Sequence, residues 1–244
     1  QYCTLQKISY DVYIYIDDLL KQPIINLLVI TKMFDSIYNN CDPSPKDISC
    51  FCGEAVFKMS NGRPRRVLEC CCVDCYQHLD WASVKGGPQA PVIPTLSYWD
   101  NDLVVEKGED LLQVVLLREK GESLRLVSTC CYSTLMVDNP SYNGVMFMLF
   151  EETCRIQWDD MQMSPYETRP AESRIFVKDF ETSRGKLPEF NGDPERIHQT
   201  CWPPYVDKWK SRTSQILEHP KGETCQSLFT RVPKITLGLE EGKR

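Results

Sequence analysis

No stretch of this sequence runs for the roughly 18 uncharged apolar residues that a membrane-spanning helix needs. The nearest candidate, Pro23 to Phe34, is short, and Asp17, Asp18, Lys21 and Lys32 surround and interrupt it. A basic run is also lacking, and the formal net charge is −6. Binding nucleic acid requires clustered Lys and Arg against phosphate, so that class of partner is excluded. Internal repeats and low-complexity tracts are absent, which sets aside repeat arrays. The chain starts at Gln1 rather than Met, which leaves room for a targeting sequence already removed.

What is present is ordinary in bulk and unusual in cysteine. Hydrophobic residues make up 42% and charged residues 25% of 244, as in a globular domain with extensions. The cysteines number 13, and they cluster at 50 and 52, at 70 to 75, and at 130 and 131. A secreted disulfide scaffold spreads its cysteines through a short chain. Cysteines this close in sequence do not easily reach bridging geometry with one another. Clustering at two-residue spacing fits metal sites in a reducing intracellular compartment, the cytoplasm or an organelle.

The chain is organised around Cys70-Cys71-Cys72-Val73-Asp74-Cys75. Read as Cys70-x-Cys72-x-x-Cys75, it is a tight loop converging three thiolates on one point. A tetrahedral Zn²⁺ held by three protein ligands keeps one position for chemistry or for a ligand, whereas four-ligand sites are structural.

Taken in order, Tyr10 to Ile16 reads as a strand. A helix then opens at Pro23, with Ile24, Ile25, Leu27, Leu28, Phe34 and Ile37 at helical spacing, and ends near Asn39-Asn40. It either packs on its own domain or docks a partner; its polar face has too little positive charge for an anionic membrane. Strands are expected at Ala55 to Met59, Val67 to Glu69, Leu103 to Gly108, Leu111 to Leu117, Leu124 to Val127, Val145 to Phe150 and Arg174 to Val177. Gly and Pro turns between them make the domain mainly β, built of antiparallel sheets. The division expected is an N-terminal extension over 1–45, a zinc-binding β domain over 46–195 and an irregular C-terminal extension over 196–244. That tail includes a short helix near Val206 to Leu217.

Cys50-x-Cys52-Gly53, Cys70-x-Cys72-x-x-Cys75, Leu103 to Leu112 with Gly108, and Cys131-Tyr132-Ser133-Thr134-Leu135 follow one another in a familiar order. Over residues 46 to 190 the chain resembles the family of glutathione-dependent formaldehyde-activating enzyme and centromere protein V. That resemblance implies a β-tent fold carrying two zinc sites. The closed one would use Cys50, Cys52 and a later Cys-x-x-Cys-Gly knuckle contributing Cys131. The functional one would use Cys70, Cys72 and Cys75. The implied activity is that of a carbon–sulfur lyase joining a thiol, glutathione, to formaldehyde. Four positions depart from the pattern. The knuckle has Ser128 at its first cysteine position and Tyr132 at its glycine, and Tyr76-Gln77 stand where basic residues are common.

Asp74 and His78 are the nearby catalytic candidates. Asp74 orients a ligand or an amide, or is a solvated loop carboxylate. His78 shuttles a proton or completes the zinc shell, or is structural. Three function classes compete. The chain is a zinc-dependent lyase handling thiol–aldehyde adducts; or a zinc-stapled subunit of a larger, organellar assembly, meeting protein partners through its N-terminal helix and C-terminal tail; or a redox sensor built on Cys70, Cys71 and Cys72.

Overall fold

The computed structural model describes residues 46–60, 62, 64–157, 171–181, 184–201 and 220–240. The strand and helix expected within 1–45, and the helix expected near 206–217, lie outside the described residues. The described residues form twelve strands and two α-helices, a mainly β architecture.

The smaller sheet joins β1 (Lys46–Ser49), β2 (Val56–Met59), β5 (Leu103–Lys107) and β10 (Arg155–Ile156) in the order β10-β1-β2-β5. The larger sheet has eight strands. They are β3 (Arg66–Cys70), β4 (Thr95–Asp100), β6 (Leu112–Leu116), β7 (Leu124–Ser128), β8 (Thr134–Asp138), β9 (Met146–Phe150), β11 (Arg174–Ile175) and β12 (Lys234–Thr236). Their order is β11-β3-β4-β9-β8-β7-β6-β12. Pairing is antiparallel except at the two edges, where β11 runs parallel to β3 and β12 parallel to β6. Helix α1 (Val73–Val84) follows β3, and α2 (Cys225–Arg231) precedes β12.

The larger sheet is covered on both faces, and the alternation along β9 shows how. Phe147 and Leu149 enter a core shared with Ile48, Phe57 and Met59 of the smaller sheet. Met146, Met148 and Phe150 enter a second core, with Leu96 and Tyr98 of β4, Val137 of β8, and Cys75 and Leu79 of α1. The site lies against this second face.

The strands expected at 103–108, 124–127 and 145–150 form within one residue of the expected bounds. The C-terminal stretch differs from the irregular tail that its polar composition suggests. Cys225, Leu228 and Phe229 of α2 are buried in the first core. Asp102 accepts from the amides of Lys221 and Gly222, and Asn101 accepts from the amide of Cys225 at 2.7 Å. These bonds fasten the segment before β12 adds itself to the sheet edge. Leu228→Ala is therefore expected to cost about 2–5 kcal/mol in chemical denaturation. A loosely attached tail would register about 0.5 kcal/mol or less.

Candidate metal centres

Among the described residues two groups of cysteine sulfurs could hold a metal ion, and within each group the sulfurs lie within 4.8 Å of one another. One gathers Cys50, Cys52, Cys130 and Cys131; the other gathers Cys70, Cys72 and Cys75. Every cysteine among the described residues is unbridged, so both groups are sets of free thiols. Thiolate-only donors select soft or borderline metals over Mg²⁺ or Ca²⁺.

The four-sulfur group is built from two facing turns. The first follows β1. The Gly53 amide donates to the Cys50 carbonyl at 2.9 Å, and the Ala55 amide donates to the Cys50 sulfur at 3.3 Å. Gly108, at the end of β5, presses on this turn: a Cβ there would lie 2.2 Å from the Glu54 carbonyl oxygen, and its φ is +76°. Only glycine meets both conditions without strain. The second turn links β7 to β8, and the Tyr132 amide closes it on the Ser128 carbonyl at 2.9 Å. Tyr132 takes φ +50°, so the left-handed backbone expected of a glycine there is adopted by tyrosine. Its ring meets Trp81 of α1 edge-on at 6.0 Å, a contact that helps hold the strained residue.

Cys130 is the sulfur that sequence reasoning missed, since the knuckle was expected to contribute Cys131. In this turn both adjacent cysteines join the group. Cys130 lies 3.3 Å from Cys52 and 3.8 Å from Cys50, sulfur to sulfur, and Cys131 shares the group. Ser128 turns inward instead, its hydroxyl 3.3 Å from the Cys131 sulfur, with Ser133 at 3.2 Å on the same atom. Burial raises the Cys131 thiol, but these two hydroxyls together with the backbone of Cys52 and Ser133 outweigh it and bring the pKa to about 6. The signal available in the sequence was the paired Cys130-Cys131 beside a serine in the knuckle's first place.

The three-sulfur group joins a strand end to a helix start. Cys70 closes β3, and its amide donates to the Pro94 carbonyl at 3.1 Å. Cys72 is the N-cap of α1, its sulfur accepting from the Cys75 amide at 3.3 Å. Cys75 sits in the first helical turn. The expected loop is thus a strand–helix junction, with its charge at the positive end of a helix dipole. Hydrogen bonds from Cys70 and Cys75 hold the Cys72 thiol well below its usual range. The Cys70 thiol is pushed up by its bonding to Cys72 and Cys75.

Two arginines flank this junction. Arg184, from beyond β11, donates to the Cys71 carbonyl at 3.0 Å and stacks over Tyr76 at 4.1 Å. Arg125 comes from β7. The triplet opens on a cavity of about 580 Å³ lined by Tyr98, Tyr142, Phe150, Phe176 and Arg125, among others.

Asp74 lines this cavity as well, but Arg118 holds its carboxylate at 2.9 Å, so it is neither a free loop carboxylate nor a base poised over the sulfurs. His78 stands outside the sulfur group and does not complete it. It is fully buried one turn further along α1, its Nε2 2.8 Å from the Thr134 hydroxyl, with Trp81 and Phe150 stacked beside it. Burial and then the charge of Arg125 lower its pKa well below the usual value, which keeps it neutral.

The chain matches no protein-family model, and no curated protein matches it. Among the described residues no helix is long and apolar enough to cross a membrane.

Cys130→Ser is expected to lose the ion of the four-sulfur group alone, halving the metal per chain. Cys154→Ala, buried outside both groups, is expected to leave the metal content unchanged. Elemental analysis of the purified variants reads both outcomes.

Proposed function

We propose that the chain is a zinc-binding β-tent protein of the type shared by glutathione-dependent formaldehyde-activating enzyme and centromere protein V. In this reading it works as a carbon–sulfur lyase on thiol–aldehyde adducts. The observation that carries the proposal is a three-sulfur cluster opening directly on a cavity, beside a second group that already has four sulfurs.

Zinc suits both donor sets. Bonds of about 2.3 Å directed tetrahedrally put sulfurs about 3.8 Å apart. The separations of 3.3, 3.4 and 3.8 Å among Cys50, Cys52 and Cys130 are close to that. The four-sulfur site would be structural, stapling the Cys50 turn to the β7–β8 turn. At the triplet, zinc would supply thiol deprotonation and Lewis-acid polarisation of a carbonyl.

The protein's own groups set up the rest. Cys70, Cys72 and Cys75 leave a fourth side of the cluster facing the cavity. Tyr98 and Tyr142 meet edge to face at 5.5 Å within the lining. Burial pushes both phenols up, so both stay protonated in the lining. In the forward direction the thiol sulfur forms a bond to the aldehyde carbon, the carbonyl π pair moves to oxygen, and that oxygen takes a proton. Glutathione and formaldehyde are the substrates the resemblance suggests. A zinc-stapled interaction subunit would need only the four-sulfur site; the cavity beside the triplet favours the enzyme.

Cys72→Ser is expected to remove one zinc of two and to return S-hydroxymethylglutathione formation to its uncatalysed rate. Carbon-13 exchange spectroscopy with labelled formaldehyde measures that rate. A wild-type chain that gives no acceleration while carrying both ions would be the interaction subunit.

A further inference from the structure

The charge inside the cavity points to which thiols it takes. Arg125 lies on β7 between Leu124 and Leu126, in strict alternation. Leu126 faces the core between the sheets, so Arg125 faces the other side. There it ends a row across four strands: Tyr98 pairs with Met148, Met148 with Val137, and Val137 with Arg125. All four line the cavity, and the other three are uncharged. A guanidinium thus stands at the end of an otherwise neutral floor, only 4% exposed.

That guanidinium is under-satisfied. Nη1 donates to the Ser123 carbonyl at 3.0 Å, and Nε has no hydrogen-bond partner among the described residues. Arg125 forms no ion pair among the described residues. Two carboxylates line the same cavity, Asp74 and Asp179. Asp74 is held by Arg118, and Asp179 enters from the 177–179 turn next to Lys178, its Oδ1 buried and without a hydrogen-bond partner among the described residues. A buried cation with one carbonyl contact is costly unless an anion completes it. Guanidinium and carboxylate match in a two-pronged geometry.

We infer that the cavity selects a thiol that also bears a carboxylate, with the sulfur at Cys70, Cys72 and Cys75 and the carboxylate at Arg125. This rests on the reading of the triplet as the place where a thiol is captured. Arg125 then acts as a binding residue that sets specificity. It supplies from a distant strand the positive charge that Tyr76-Gln77 do not.

Calorimetric titration of the zinc-loaded full chain tests this with three probes: 3-mercaptopropionate, 3-mercaptopropanol and propionate. The acid thiol is expected to bind at least about tenfold tighter than the alcohol, the scale of one charge-assisted pair. Arg125→Met is expected to abolish that preference. Arg125→Lys is expected to keep part of the preference. Equal affinity of wild type for the two thiols overturns the role of Arg125, making it a counter-charge for the cysteines only, and leaves thiol capture standing. Binding of propionate but of neither thiol, or of none of the three, overturns thiol capture and this inference with it. The wild-type comparison decides the matter even where a variant fails to fold.

Discussion

Three sulfurs held within 4.8 Å of one another in a protein interior cannot all carry charge unless a cation lies among them. At that separation two thiolates repel by about 3 kcal/mol at an effective dielectric of about 20. The opposed directions of the Cys70 and Cys72 thiols express the same conflict: one proton-free sulfur is tolerated at the helix start, and its neighbour is forced to stay protonated. The backbone nevertheless brings the sulfurs together. The hydrogen bond from the Cys70 amide to Pro94 and the N-cap bond at Cys72 fix the strand–helix junction independently of any ion. A junction built this way is pre-organised for a thiophilic metal.

The larger sheet makes the rest possible by burying both its faces. Its inner face meets the smaller sheet and gives the domain its main core. Its outer face is freed to serve as the floor of a cavity, with α1 bringing Cys75 to that face. The four-sulfur group stands apart from this cavity and joins two turns, β1–β2 and β7–β8. The second of those turns immediately follows the strand that carries Arg125. A metal staple at Cys130 and Cys131 would therefore also steady the register of β7, the strand that places the guanidinium.

Legibility in the sequence followed burial. Strands with mixed polarity and clear turns, such as Leu103 to Lys107 and Leu124 to Ser128, could be read directly. Thr95–Asp100 could not: every residue of it is buried, and a strand covered on both faces loses its alternation. Helix α1 was hidden because its first turn lies inside the cysteine motif and its polar and apolar residues are poorly segregated. Helix α2 and β12 were hidden by polar composition, since their attachment runs through Asn101 and Asp102, distant in sequence. The triplet was legible because its spacing is local. Cys130 was not, because its use depends on the left-handed backbone at Tyr132. Arg125 was not, because only strand order sets it in a row with Tyr98, Met148 and Val137.

The most direct measurement is zinc K-edge X-ray absorption on the purified, reduced full chain. Two zinc ions per chain are expected, with a sulfur shell at about 2.3 Å averaging about 3.5 sulfurs and the balance made up by a lighter atom. A folded chain without metal, or sulfurs paired at about 2.05 Å as disulfides, would contradict the central claim.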